Sequence, residues 1–143
     1  MIKISKIINY SIKNYWNSFL FIFLFLLLHL FYINTPFVNH EWVNRVGSEY
    51  FLKNDVSLLT KYFEHQANPI SYAFVSSLLS YFLEADDYYI YRMPALFGAL
   101  VLLVSLHRGN NIWLLLITGL NPLIWIYSGR AYSEMLSLGL MIL

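Results

Sequence analysis

One uncharged apolar run, Trp16 to Val38, constrains this chain more than any other feature. It is long enough to cross a hydrocarbon core of about 30 Å with some tilt. Lys3, Lys6 and Lys13 precede it, and no small-x-small cleavage site follows it. The run therefore reads as an uncleaved first span rather than a secretory signal, with the N-terminus on the cytoplasmic side. Composition agrees. Of 143 residues, 59% are hydrophobic and only 12% are charged, against about 25% charged in soluble domains. The net charge of +1 offers no basic face, so no nucleic-acid partner is expected. The absence of cysteine excludes disulfides and thiol chemistry.

Later segments repeat the pattern. Tyr88 to Leu106 reads as a span, with Tyr88, Tyr89 and Tyr91 as an aromatic belt and Arg92 snorkelling to the same interface. Ile112 to Tyr127 reads as another, kinked at Asn121-Pro122. A partial fourth segment, 131–143, is too short to cross and has no basic flank, so the sequence reads as the N-terminal fragment of one transmembrane domain, expected to be inactive alone. The loop 39–87 between the first two spans carries helical spacing: Val43, Val46, Gly47, Tyr50 and Phe51 share a face, as do Leu58, Leu59, Tyr62 and Phe63. Glu41/Arg45 and Glu49/Lys53 stand at favourable i,i+4 spacing, and Asn54-Asp55 breaks the first of these helices. Pro69 to Leu83 is apolar but short and serine-rich. If it crosses, His107-Arg108 faces outside, against the positive-inside tendency. If it lies at the interface, that basic turn is cytoplasmic and Glu41, Asp86, Arg130 and Glu134 share the external side. The interfacial arrangement is the preferred one. The fold class is thus all-α: multi-pass membrane helices with an external loop of amphipathic juxtamembrane helices, in a bacterial inner (plasma) membrane.

Several residues carry candidate chemistry. Glu41, just past the first span, suits a general base or a cation ligand, or else is a solvated acid at a helix N-terminus. Glu134 lies a few residues into an apolar segment, where an acid is costly and marks function unless it pairs with Arg130 one turn away. Arg130 has the planar fork that binds phosphate in two places, and otherwise anchors at the interface. Arg92 can do the same work. His29 within the first span reads more simply as an interhelical hydrogen-bonding group than as a ligand. His40 and His65 lie near Glu41, Glu64, Asp86 and Asp87, but no spacing matches a known metal pattern. No metal site is assigned, although a divalent cation is left open.

In order, these landmarks resemble the N-terminal part of the GT-C class of integral-membrane glycosyltransferases. The likeness is to the branch with protein O-mannosyltransferases and lipid A aminoarabinose transferases. The residues that carry it are His40-Glu41-Trp42 opening the loop, Asn68-Pro69-Ile70-Ser71-Tyr72, Arg92-Met93-Pro94-Ala95-Leu96-Phe97-Gly98, and Asn121-Pro122 with Ser128-Gly129-Arg130, Tyr132 and Glu134. The likeness runs from Trp16 to Leu143, and order and spacing carry it, since each motif is degenerate. One departure matters: the first acid of the family's loop pair falls at His40, leaving Glu41 alone.

The resemblance implies a transferase that takes a sugar from a polyprenyl-phosphate-linked donor, among membrane lipids, and passes it to a glycan, lipid or protein acceptor on the external face. It implies Glu41 as base, Glu134 as a second site acid, Arg130 and Arg92 as phosphate partners, and His40 and Tyr132 as further site residues. The rival expectation is a non-catalytic membrane subunit, or part of a lipid-linked glycan flippase or ligase. A secondary transporter fits less well, because only His29 is ionisable near mid-membrane.

Overall fold

The computed structural model describes residues 2–37, 41–65, 70–85, 87–108, 112–131 and 133–142. Among them the chain is helical, without a strand, in the order α1 (Ile2–Tyr32), α2 (Glu41–Lys53), α3 (Val56–His65), α4 (Ile70–Leu83), α5 (Tyr88–Arg108), α6 (Ile112–Gly119), α7 (Pro122–Ser128) and α8 (Ser133–Ile142). Two of these are long and apolar enough to cross a membrane, over Tyr15–Tyr32 and Tyr88–His107.

Helix α1 stops at Tyr32, short of the expected Val38. Pro36 explains the difference. It lacks an N–H and biases the preceding Thr35 away from helical backbone. The chain turns there, and the Thr35 hydroxyl donates back to the Tyr32 carbonyl at 2.9 Å. Helix α5 then runs back along α1. Tyr15 meets His107 edge-on at one end, with ring centroids 4.3 Å apart, and Arg92 meets the turn after α1 at the other.

Helix α5 is the central element. Ile90, Tyr91, Ala95, Leu96, Ala99, Leu102 and Leu103 are all buried. Helix α8 crosses it closely. A Cβ on Gly98 would stand 2.2 Å from the Met135 carbonyl oxygen, and one on Gly139 would stand 2.3 Å from that of Gly98. Small residues let the two backbones touch, as they do where helices associate without an aqueous driving force. The outer face of α1 is left bare and apolar, with Phe19, Phe23, Leu27 and Phe31 exposed.

The expected kinked span is two short helices. Asn121 caps α7, its Oδ1 accepting from the Leu123 N–H at 2.9 Å, and Pro122 occupies the first turn where its missing donor costs nothing. The Trp125 indole N–H donates across the break to the Gly119 carbonyl at 2.5 Å. In the loop, α2 lies on α3 and α4. Val43, Tyr62 and Ala73 form a second small core there, and Gly47 lets α2 approach the Tyr62 ring. Asn54, at φ 54°, ends α2 in the left-handed region that asparagine tolerates. Helix α4 has 14 residues, about 21 Å at 1.5 Å per residue, which is short of a hydrocarbon core.

Candidate functional site

The turn that Pro36 imposes leaves the last carbonyls of α1 without helical partners. Arg92, at the start of α5, supplies them. Its Nη1 donates to the Ile33 carbonyl at 2.9 Å, to the Thr35 carbonyl at 2.7 Å and to the Thr35 hydroxyl at 3.0 Å. Nη2 reaches the Pro36 carbonyl at 3.1 Å. The other edge of the fork holds Glu41: Nε to Oε1 and Nη2 to Oε2, both 2.9 Å. The two side chains are 2% and 0% exposed. Glu41 Oε1 also accepts the Ala131 N–H at 2.8 Å, and the Asn44 amide donates to the Ala131 carbonyl. One ion pair thus ties the end of α1, the start of α2, the start of α5 and the turn before α8. A buried pair of this kind holds only because its hydrogen bonds are filled, and removing one partner costs about 3–5 kcal/mol.

Tyr72 of α4 closes this clasp from the loop side, its hydroxyl donating to the Tyr91 carbonyl at 2.8 Å. Burial pushes that hydroxyl well above the ordinary phenol range. The Glu41 and Glu134 carboxylates act in the same direction, against Arg92 and the Ala95 backbone.

A cleft of about 270 Å³ opens beside the clasp, lined by His29, Tyr32, Thr35, Arg92, Trp125, Ile126, Gly129 and Arg130. None of these is a carboxylate. Arg130 is partly exposed and, among the described residues, makes no hydrogen bond or ion pair. His29 is buried. Its Nδ1 lies 2.8 Å from the Phe25 carbonyl and its Nε2 lies 2.7 Å from Ser128 Oγ. The Trp125 ring stacks on the imidazole at 4.6 Å and 25°. Gly129 lies against the same ring: a Cβ there would meet the imidazole at 3.4 Å, in ordinary van der Waals contact. The arrangement can hold an anion: the Arg130 guanidinium faces the opening, and Arg92, whose own donors are taken, adds positive charge at its border, at the shared end of the two long apolar helices.

The candidate residues fall into three groups. Glu41, Arg92 and Arg130 come together, but not as equals. Arg92 does not snorkel; it is buried because four carbonyls and a carboxylate meet its donors. Glu41 turns to Arg92 with both oxygens, while Arg45 reaches forward to Glu49 at 3.2 Å. Glu49 also holds Lys53 at 2.9 Å. Glu134 is exposed in the first turn of α8, outside the cleft lining, and does not pair with Arg130. There its charge is favoured by the helix dipole. His40, Tyr132 and Asp86 lie outside the described residues, as does the Asn68-Pro69 element. His29 does make an interhelical hydrogen bond, to Ser128. Among the described residues no three His, Asp or Glu side chains gather into a metal-holding set. Ser128 stands in the Ser128-Gly129-Arg130 motif, but neither it nor Asn44 is assigned a role from the sequence, since local spacing does not show their tertiary partners.

The chain matches no protein-family model, no curated protein and no solved structure.

Proposed function

We propose that this chain belongs to a membrane glycosyltransferase that draws a sugar from a polyprenyl-phosphate-linked donor on the external face. The observation that carries the reading is Arg130, a guanidinium that has no hydrogen-bond or ion-pair partner among the described residues, in a cleft at the end of two apolar helices. A donor with a lipid tail is reached from the bilayer, so its phosphate belongs at that level. The bare apolar face of α1 is consistent with lipid contact, and the bidentate fork of arginine matches a phosphate. In this reading Arg130 takes the donor phosphate and stabilises the charge that grows on it as the sugar leaves. Arg92 and Glu41 are positioning residues, sealed against each other. Of the two candidate acids, Glu134 is the exposed one and is assigned to the acceptor.

A second reading, a non-catalytic subunit that holds or hands on a lipid-linked glycan, is favoured by one observation: among the described residues no carboxylate lines the cleft. Membranes containing the protein would be given radiolabelled polyprenyl-phosphate sugars, and transfer and retention of donor measured for wild type, Arg130→Lys and Glu134→Gln. The transferase reading expects Arg130→Lys to lose donor retention and transfer, and Glu134→Gln to lose transfer alone. Donor retention with no transfer by any form selects the second reading. Wild-type behaviour of both variants removes the site.

A further inference from the structure

We infer that His29 takes up a proton as a phosphodiester-type anion enters the cleft, so that anion and proton bind together. The anion rests on the reading above; the proton rests on the hydrogen-bond count around His29. Three short contacts run in a line: Phe25 carbonyl to His29 Nδ1 at 2.8 Å, His29 Nε2 to Ser128 Oγ at 2.7 Å, and Ser128 Oγ to the Ile124 carbonyl at 2.5 Å. Each needs one proton. Both ends of the line are carbonyls, which only accept. A neutral imidazole and a hydroxyl supply two protons between them, so one contact would set two acceptors against each other. An imidazolium donates from both nitrogens, the serine donates onward to Ile124, and all three contacts are filled. The Trp125 carbonyl, 3.4 Å from Nε2 and 3.3 Å from Ser128 Oγ, adds a third acceptor and no donor. The Trp125 ring stacked on the imidazole offers its π face to a cation.

The charges around His29 set the coupling. Arg92 of α5 and Arg130 of the turn after α7 line the same cleft. Glu41 of α2 lies behind Arg92 and is neutralised by it. Helix α6 carries no ionisable side chain, and α7 carries only Tyr127. An imidazolium here has two guanidinium neighbours and no free carboxylate in the cleft. A buried charge without a counter-ion is costly, and an anion in the cleft supplies one. The proton comes from solvent through the opening that His29 lines, and leaves when the anion leaves.

The test uses the chain in phosphatidylcholine nanodiscs and two probes, dimethyl phosphate and methyl farnesyl phosphate. Both are monoanions throughout pH 5.5 to 8.5, so any pH dependence belongs to the protein. Binding is measured across that range for wild type, His29→Gln and Ser128→Ala. Nitrogen-15 spectra of labelled histidine, with His29 assigned by its loss in His29→Gln, report imidazole protonation directly. The expected result is affinity about tenfold or more higher at pH 5.5 than at 8.5, the trend for one linked proton, with both His29 nitrogens protonated in the bound state. The slope should vanish in His29→Gln and weaken in Ser128→Ala, which shortens the line of contacts. Binding of the farnesyl probe alone assigns a lipid-linked source, and equal binding of both assigns a small free anion; each supports the inference if the slope is present. Arg130-dependent binding without a pH slope, or a neutral His29 in the bound state, overturns the inference and leaves the proposed function standing. Failure of both probes to bind overturns both.

Discussion

Arg92 and Arg130 line the same cleft and are used in opposite ways. Arg92 has every donor direction met, by Glu41 and the carbonyls that the Pro36 turn releases, and it is 1% exposed. Arg130 is half-buried and, among the described residues, meets nothing. The difference teaches how to separate a guanidinium that builds the fold from one that is kept for a ligand. Chemical type does not separate them, and neither does nearness to the cleft. What separates them is whether the protein has already supplied the acceptors. A buried arginine with all its partners in place has no capacity left for an incoming phosphate, whereas a partnerless one beside an opening does.

The comparison breaks most readily at the clasp. Arg92→Met should leave the Glu41 carboxylate buried without its counter-charge, destabilising the fold by about 3–5 kcal/mol. Arg130→Gln should change stability by no more than about 0.5 kcal/mol, as for a surface site. Chemical unfolding in mild detergent reads both, and equal losses would erase the distinction. Next comes the helix crossing that holds the clasp to α8. Gly98→Val places side-chain atoms where the Met135 backbone stands, and overpacking of this kind costs about 1–3 kcal/mol. Because the native chain lacks cysteine, a pair introduced at Ala95 and Met135 would report the separation by cross-linking. Undiminished cross-linking in Gly98→Val would refute the contact.

Asn121→Ala removes the α7 cap and should cost about 1 kcal/mol. It sharpens the comparison, because α7 carries Trp125 to the cleft and Ser128 to His29, while the Glu41–Arg92 pair joins α2 and α5. Anion binding should therefore fall before global stability does. The smallest effect lies farthest from the cleft. Burial pushes the Tyr62 hydroxyl up to about 12, so the folded state holds this proton more tightly than the unfolded chain, whose phenol titrates near 10. The stability it reflects is fully present below pH 10 and is lost as pH rises toward 12. Tyr62→Phe should flatten that part of the alkaline unfolding curve. An unchanged curve would place the hydroxyl in water.

Parts of this architecture are legible in the sequence because their causes are local. Asn121-Pro122 breaks the helix through the chemistry of two adjacent residues, and Asn54-Asp55 ends α2 in the same way. The Arg-x-Pro-Ala-x-x-Gly run places Ala95 and Gly98 one helical turn apart on α5, although Gly139, which Gly98 meets, cannot be named from spacing. The clasp is illegible for the complementary reason. Glu41 and Arg92 are separated by the whole loop, and the tyrosines around Arg92 imitate an interfacial belt. Only the early stop of α1 at Tyr32 turns that arginine inward. Pro36 carries that signal, but the apolar residues Phe37 and Val38 after it conceal it. The His29 and Ser128 contact depends on where α7 lands after its break, which no local pattern specifies.

Under the proposed function, the cleft's two arginines divide structure from binding. The most direct measurement titrates methyl farnesyl phosphate into nanodisc-embedded wild type and Arg130→Gln, and takes the unfolding midpoint on the same samples. The account predicts at least about a tenfold loss of affinity, equivalent to about 1.4 kcal/mol, with an unchanged midpoint. Undiminished affinity in Arg130→Gln, or a midpoint that falls as far as it does in Arg92→Met, would contradict it.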